Sequence, residues 1–352
     1  MAEGTDGQAM LDRARTLADD LLFPHAQDVD RSDLVPESHL DALAGAGLFG
    51  ISGPASHGGC ELGPSHSWRT TAALFGGCGA TAFVWAQHQG VVRTLARSRN
   101  DSLREDLLAD MCAGDQMAGV AFAHLRRPGA PAIAATRVDG GWRLDGFSPW
   151  TTSWGLADWF AIAAESEDGD LVWGLVRGPE TEGVSARPLA LPVFGSTGTV
   201  TLSFEGCIVP DERVVLVESV ARWRAVDRRR SALGAPATIG IAQRCIRMLG
   251  AIEEPLAVEA ADRLGAEWAA ATERYDSLLG AIIAGDDVLD EASDHRSALI
   301  LLAKRSSMAL LAAVGGRAMD LTHPAQRLAR EADFFVIQAQ TAEGRASTLR
   351  TI

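Results

Sequence analysis

Lysine is almost missing from this chain of 352 residues, because Lys304 is the only one. No P-loop lysine precedes a Ser or Thr, and no lysine lies in a recognisable Schiff-base motif. The net charge is −14 and the pI is near 5.0, without the basic face that phosphate contacts to nucleic acid require. We therefore expect no nucleic-acid partner.

Cysteine is scarce, and membrane signals are missing. The five cysteines are widely spaced, and no CxxC occurs, which is typical of a reduced protein. The polar, acidic start MAEGTDGQAM is unlike a signal peptide, and no run of 18 apolar residues appears. His57 and Cys60 lie in a glycine loop without a matching pair of ligands. The sequence thus predicts a cytoplasmic protein with no metal site and no membrane partner.

The hydrophobic pattern divides the chain into three parts. Helical spacing, as in TAFVWAQHQGVVRTLA, holds to about residue 116 and returns at about residue 218. Between them lie short segments rich in Val, Ile, Phe and Trp, with turn residues about every ten positions. The pattern predicts an α+β multidomain fold with an N-terminal α-helical domain (1–117), a middle β-barrel or antiparallel sheet domain (118–217) and a C-terminal α-helical domain (218–352).

Two local features refine this prediction. Asp139-Gly140-Gly141 is typical of a tight hairpin turn between two strands. The segment RRRSALGAPATIGIAQRCIRMLGAI has one continuous helical period, and Pro236 is expected to bend it.

Four stretches, in this order, are similar to the signatures of one family. The closest match is GWRLDGFSPWTTSWGLADWFAIAAES (141–166), which is similar to a strand-turn-strand signature. GLFGISGPASHGG (47–59), FGSTGTVTLSFEGCIVPDERVV (194–215) and AVGGRAMDLTHPAQRLAREAD (313–333) are the other three. Together they cover most of the chain and resemble the acyl-CoA dehydrogenase superfamily.

The resemblance implies an activity, a cofactor and an assembly. Members of the family bind FAD between the β domain and the C-terminal helices, usually as dimers or tetramers. A glutamate removes the α-proton of an acyl-CoA while the β-hydrogen leaves as a hydride to the flavin. The implied partners are an acyl-thioester or a related small-molecule substrate, and either a second copy of this chain or a homologous subunit.

The resemblance assigns five residues to the cofactor. Trp150 and Thr152 fall where an aromatic ring and a threonine of the family touch the flavin ring. Phe122 and His124 lie in FAHLRRPGAPA, where the family has a Thr-Glu-Pro motif, and their backbone is placed against the flavin. Thr341 ends the run that matches Tyr-Glu-Gly-Thr. The alternatives are that Trp150 is sheet core, Thr152 a plain strand residue and His124 an ordinary strand histidine.

The position of the catalytic base carries no acid in this chain. Counting from Arg330-Glu331-Ala332, the family's Tyr-Glu-Gly-Thr run falls on Gln338, Ala339, Gln340 and Thr341, which puts Ala339 at the base position. Some members place the glutamate ten residues before a Gly-Ile pair, and that count lands on Arg230. Asp227 is out of register there by three residues.

Two other residues remain as catalytic candidates. Glu343 lies two residues beyond Thr341. Only a shift of register in QAQTAEGR would bring its carboxylate to a substrate. The alternatives are that Glu343 is a solvated carboxylate or contacts the nucleotide. His88 follows an aromatic-rich helix, and flavin monooxygenases of this fold often need a histidine near the flavin. Its alternative is a hydrogen-bonded helix histidine.

A further departure concerns retention of FAD. The family follows the helix matched by GIAQRCIRMLG with an Arg-x-x-Phe-Gly motif that clasps the FAD of the neighbouring subunit. Here the chain runs directly into AIEEPLAVEAADRLG, so the diphosphate loses a bidentate cationic partner. FAD remains the cofactor that the resemblance implies, with weaker retention.

Three functional hypotheses follow. The first is an FAD-dependent oxidoreductase acting on an acyl-thioester or related substrate without the usual glutamate base. The second is a non-catalytic subunit that completes the FAD site of a glutamate-bearing homologue. The third is a flavin-dependent monooxygenase or a repurposed biosynthetic enzyme of the same fold.

Overall fold

The N-terminal part of the chain is helical, as its apolar spacing predicts. The computed structural model describes residues 3–126, 129, 132–339 and 341–352. The helices are α1 (Glu3–Leu17), α2 (Phe23–Arg31), α3 (Glu37–Gly45), α4 (Pro64–Gly77), α5 (Gly79–Leu95) and α6 (Asp101–Ala113). Asn100 caps α6 by accepting a hydrogen bond from the Leu103 amide at 3.1 Å.

One mixed β-sheet forms the middle of the molecule. Its strands are β1 (Ala118–Ala121), β2 (Ile133–Val138), β3 (Gly141–Thr151), β4 (Trp159–Ser166), β5 (Asp170–Val176), β6 (Val184–Pro188), β7 (Val200–Pro210) and β8 (Val214–Ser219). They pair in the order β6-β7-β3-β2-β4-β5-β8, and β1 also pairs with β4. Asp139-Gly140 forms the predicted hairpin turn, with Val138 opposite Gly141.

The sheet is open, so the barrel form of the prediction is wrong. In the described part of the chain β6 and β8 lie at opposite ends of the strand order and do not pair. The purely antiparallel form is also incomplete, because β1 and β2 both run parallel to β4. Parallel pairs join strands that are distant in sequence, and short-range periodicity carries no information about such pairs.

The C-terminal part is again helical. Its helices are α7 (Val220–Ala232), α8 (Pro236–Gly250), α9 (Pro255–Ala284), α10 (Leu289–Val314), α11 (Pro324–Ile337) and α12 (Ala342–Thr351). Pro236 begins α8 instead of bending one long helix, because proline lacks the N–H that a first-turn residue can do without. Only residues 251–254 join α8 to α9, where the resemblance expects the clasp motif.

The segment Leu289–Met319 is long and apolar enough to cross a membrane by length and composition alone. It consists of α10 and the turn after it, and α10 packs against α8, α9, α11 and α12. Its buried face includes Leu299, Leu302 and Leu310. This packing is that of a central helix in a bundle.

The two helical domains share one hydrophobic core. Phe75 of α4 packs edge to face with Phe335 of α11, with ring centroids 5.5 Å apart. Helices α4 and α8 approach so closely at Gly240 that a Cβ there would lie 1.9 Å from the carbonyl oxygen of Ala72. The helical, β, helical order predicted from the sequence is therefore confirmed, and the sheet lies against both helical parts.

Candidate functional site

A cavity of about 850 Å³ lies where α5, the sheet and α7 meet. Its walls come from α5, from β1, β5 and β8, from α7 and from the segment between α11 and α12. This volume is within the range of ligand and cofactor sites.

Three aromatic side chains form one wall of the cavity. Phe122, Trp173 and Trp223 all line it, and the ring of Phe122 lies 6.2 Å from each of the two indoles. The guanidinium of Arg126 lies over Phe122 at 5.1 Å from the ring centroid. Trp173 is 6% exposed, and its Nε1 has no hydrogen-bond partner. The wall thus offers aromatic ring faces with a guanidinium beside one of them.

The two positions that the resemblance assigns to the base lie in this same cavity. Ala339 and Arg230 both line it, as does Gln338. Gln340, the third residue of the matched run, lies outside the described residues. Ala339 has a left-handed backbone, with φ +51°. The structure therefore brings together two positions that are far apart in the chain, and neither carries a carboxylate.

Arg296 holds this part of the wall in place. Its side chain is 3% exposed and donates to the carbonyl oxygen of Gln338 at 2.8 Å and to that of Gly234 at 3.3 Å. Burial, and then the charge of Arg126, lower the pKa of Arg296 to about 10. Both carbonyls belong to residues that line the cavity.

The two carboxylates among the described lining residues are paired with arginines. Asp227 accepts from Nε and Nη2 of Arg126 at 2.9 and 2.7 Å, a bidentate pair that is largely buried. Glu218 lies 3.9 Å from Arg222. Both carboxylate oxygens of Asp227 are therefore occupied by the guanidinium of Arg126.

Arginine dominates the remaining lining. Among the described residues, six arginines line the cavity: Arg93, Arg97, Arg99, Arg126, Arg222 and Arg230. Within the described chain, no carboxylate lies within 4 Å of the guanidinium groups of Arg93, Arg97 or Arg230; Arg93 donates to Ser52 Oγ at 2.9 Å. Enclosure by the walls, and then Arg230 and Arg97, lower the pKa of Arg93 to about 10. Enclosure and Arg97 also lower the pKa of Arg230.

Glu343 does not take the place of the missing base. It lies in the first turn of α12, is not among the described lining residues, and has a half-exposed side chain 3.7 Å from Arg228. A carboxylate in the first turn of a helix is stabilised by the helix dipole. Its position is that of a surface residue.

His88 is a structural histidine, contrary to its candidacy as a catalytic residue. It is fully buried, its Nε2 donates to the carbonyl oxygen of Met111 at 2.9 Å, and its Nδ1 accepts from the Ala118 amide at 3.0 Å. Burial lowers the pKa of His88 to about 4. The side chain joins α5, α6 and β1, and both ring nitrogens are in use.

Of the five cofactor candidates, Phe122 alone is among the described residues that line this cavity. His124 is buried in a turn of 3₁₀ helix rather than in a strand, and its ring contacts Ser148 Oγ at 3.0 Å and the Ala163 carbonyl at 2.9 Å. Thr341 caps α12, with its Oγ1 accepting from the Gly344 amide at 3.1 Å.

Trp150 and Thr152 differ from each other in environment. Trp150 is 48% exposed and sits in a bulge between β3 and β7 with φ +61°, so its assignment to the sheet core is wrong. A bulky residue in that conformation is strained, and such strain is concentrated at functional positions. Thr152 is buried, and its Oγ1 lies 3.2 Å from Thr199 Oγ1.

Several lining residues were missed from the sequence. Trp173, Trp223, Arg93, Arg97 and Arg126 come from four separate segments, and no motif connects them. The clusters RTLARSR (93–99) and RWRAVDRRR (222–230) were the available signal. Their charge is visible in the sequence, but only packing shows that they face one space.

Comparison with known proteins gives the family. A profile described as "Acyl-CoA dehydrogenase, N-terminal domain" matches residues 5–115. The mitochondrial 2-methylacyl-CoA dehydrogenase of Solanum tuberosum is 25% identical over 93% of this chain and 85% of its own length. The matches all indicate the acyl-CoA dehydrogenase superfamily. Other curated members of the superfamily are matched over only 56 to 61% of their own length.

Solved structures of the same fold include an acyl-CoA dehydrogenase and a protein solved with a nucleotide sugar. Butyryl-CoA dehydrogenase from Megasphaera elsdenii has a TM-score of 0.83 at 16% identity, covering 98% of this chain and 97% of its own. KijD3, solved with FMN and dTDP-3-amino-2,3,6-trideoxy-4-keto-3-methyl-D-glucose, has a TM-score of 0.80 at 22% identity, covering 98% and 93%. The superfamily fold therefore hosts more than one substrate class.

The cavity fits a flavin. A flavin needs aromatic or apolar cover for its ring system and cationic partners for its phosphate. Phe122, Trp173 and Trp223 supply the cover, and Arg126 and Arg222 supply the charge. These residues would hold the cofactor.

Proposed function

We propose that this protein is a flavin-dependent oxidoreductase of the acyl-CoA dehydrogenase superfamily that works without proton abstraction by a carboxylate. The single observation that carries the proposal is the cavity in which Ala339 and Arg230 occupy both base positions. Its two described carboxylates, Asp227 and Glu218, are each paired with an arginine. A bound flavin supplies two-electron chemistry there.

The residues of this chain would bind and orient the substrate rather than remove a proton from it. Phe122, Trp173 and Trp223 exclude water from one side of the cavity. Arg126, fixed by Asp227, presents a charge over the ring of Phe122. A cationic cavity stabilises negative charge that develops on a bound carbonyl or phosphoryl oxygen. An acyl-thioester, or another substrate with an anionic carrier group, fits these properties.

The proposed function is tested by flavin uptake followed by an anaerobic substrate test. The purified protein is titrated with FAD and with FMN, excess flavin is removed, and the absorbance spectrum is recorded. A retained flavin band is expected. Butyryl-CoA is then added without oxygen, and the flavin band is expected to persist, because no base removes the α-proton. Bleaching of the band by butyryl-CoA would overturn the proposal.

One variant and one further assay extend this test. Glu343→Gln is expected to match the parent protein in flavin uptake and in its response to butyryl-CoA, since Glu343 does not line the cavity. If the parent protein bleaches and Glu343→Gln does not, the base is Glu343 after a shift of register. Oxygen consumption by the flavin-loaded protein with a chemical reductant then separates a monooxygenase from other oxidoreductases.

A second candidate is a subunit of an oligomer that completes the site of a homologue. The short connection between α8 and α9 favours it, since the clasp motif has no place there. All described large apolar side chains that are more than half exposed lie in the C-terminal helical part: Leu256, Ile283, Met308, Met319, Leu321, Ile337, Leu349 and Ile352. A protein that takes up no flavin alone, but gains it when mixed with a glutamate-bearing homologue, would establish this role.

A further inference from the structure

Arg93, Arg97 and Arg230 form a cluster of like charges within the cavity. Arg93 lies near the end of α5, Arg97 follows that helix, and Arg230 lies on α7. All three line the cavity, and no carboxylate of the described chain lies within 4 Å of their guanidinium groups. Arg230 and Arg97 both lower the pKa of Arg93, and Arg97 lowers that of Arg230, so the three charges lie within electrostatic range.

This arrangement costs stability in the free protein. Like charges that share an enclosed space repel each other more strongly than they do in open solvent, because less water screens them. The whole chain carries a net charge of −14, so carboxylates to neutralise the three arginines are plentiful elsewhere. Asp227 and Glu218 line the same cavity and offset part of the charge of Arg230, but Asp227 is paired with Arg126 and neither carboxylate lies within 4 Å of the three guanidinium groups. The remaining positive charge is available for a ligand.

We propose that Arg93, Arg97 and Arg230 form a subsite for a phosphate group of the substrate. The assignment of this phosphate to the substrate rests on the proposed function, whereas the binding of phosphate by the three arginines does not. Guanidinium groups bind phosphate through paired N–H donors. A carboxylate has two oxygens and one charge, whereas three arginines offer more donors and more charge than it can use. A phosphate or diphosphate matches the cluster better.

Inorganic pyrophosphate is the probe that tests the subsite directly. Isothermal titration calorimetry of the full chain, at constant ionic strength, is expected to show binding of pyrophosphate. Arg93→Gln and Arg230→Gln are each expected to weaken it by at least about tenfold, the loss of one charge-assisted contact. Arg143→Gln is the matched control, because Arg143 is exposed, pairs with Asp145 and does not line the cavity. Unchanged binding in both cavity variants would overturn the proposal.

Thermal unfolding guards against variants that simply fail to fold. Removing one of three repelling charges is expected to leave the melting temperature of Arg230→Gln equal to or above that of the parent protein. Pyrophosphate is expected to raise the melting temperature of the parent protein and not that of the double variant Arg93→Gln/Arg230→Gln. An equal rise in both proteins would place the anion elsewhere and sink the proposal.

The source of the phosphate is distinguished with FMN and riboflavin. If the subsite serves the substrate, the variants bind both flavins as the parent protein does, and pyrophosphate binds to FMN-loaded protein. If the variants weaken FMN but not riboflavin, the assignment to the substrate is wrong and the subsite belongs to the cofactor. Pyrophosphate binding needs neither flavin nor turnover, so a protein that binds it but takes up no flavin would refute the proposed function alone.

Discussion

Ala339 and Arg230 belong to different parts of the C-terminal domain and line the same cavity. One precedes α12 and the other lies near the end of α7. In the superfamily resemblance these are the two alternative positions of the catalytic base. Both matched positions therefore face one cavity, which is what a shared role as base position requires. Neither residue is a carboxylate, so the cavity receives no acid from either position.

A carboxylate introduced at Ala339 should find partners among the arginines. Ala339→Glu is expected to raise the free energy of unfolding by roughly 1 kcal/mol over Ala339→Gln at low ionic strength, with the gain shrinking as salt is added. The two variants share the cost of a side chain at φ +51°, so their difference isolates the charge. Urea denaturation at two salt concentrations measures it. Equal stability of the two variants would show that position 339 does not face the arginines.

Trp150 should matter for flavin binding far more than for stability. Trp150 is not among the described residues that line the cavity, and the resemblance alone assigns it to the flavin ring. On that assignment, Trp150→Ala is expected to weaken flavin binding by about tenfold, the size of one aromatic stacking contact. Phe147→Ala is the matched control, because Phe147 lies on the same strand and is also 48% exposed. Fluorescence titration with flavin measures both variants. If the two lose affinity equally, or neither does, the resemblance assigns the wrong aromatic residue to the cofactor.

His88 should make the protein sensitive to acid. Its pKa in the folded protein is about 4 against an ordinary 6.5, so the folded state keeps it neutral while the unfolded chain takes up a proton. The stability is fully present above about pH 6.5 and is lost as the pH falls towards 4, by about 3 kcal/mol in all. The free energy of unfolding, measured across this range, should fall less steeply in His88→Gln than in the parent protein. Identical slopes would contradict the prediction.

Arg296 should be needed for the cavity wall to form. Arg296→Met is expected to lower the free energy of unfolding by about 2–4 kcal/mol, because the carbonyl oxygens of Gln338 and Gly234 lose their donor. Arg305→Met, on the same helix, removes an exposed arginine that pairs with Glu267, and should cost less than about 1 kcal/mol. Denaturant unfolding compares the two variants. Equal losses would mean that the contacts of Arg296 are no stronger than a surface ion pair.

The order of the domains was predictable because it depends on local periodicity. Apolar spacing along α5 and the short β-rich segments identified their elements without tertiary information. The Asp139-Gly140 turn was predictable for the same reason, since its backbone conformation favours those residues. Pro236 was correctly expected to interrupt the helical segment, but it begins α8 instead of bending one long helix. Proline is tolerated in the first turn of a helix, and the sequence pattern does not distinguish a first turn from a bend.

The environment of single residues was much less predictable. His88 and Glu343 were both chemically suitable, yet one is buried with both nitrogens bonded and the other is on the surface. Phe122 was assigned from the resemblance and does line the cavity, but its neighbours Trp173 and Trp223 carried no motif. A side chain's chemistry is written in the sequence, whereas its access to a ligand depends on what packs around it.

By itself, the sequence determined the succession of helices and strands, the family resemblance and the absence of a carboxylate at the two matched base positions. Only the tertiary structure decided that Arg93, Arg97 and Arg230 share one cavity, that the sheet is open, and that Glu343 lies outside the site. The physical reason is distance. Helix and turn preferences act over a few residues, but a binding site is assembled by contacts between segments that are far apart in the chain.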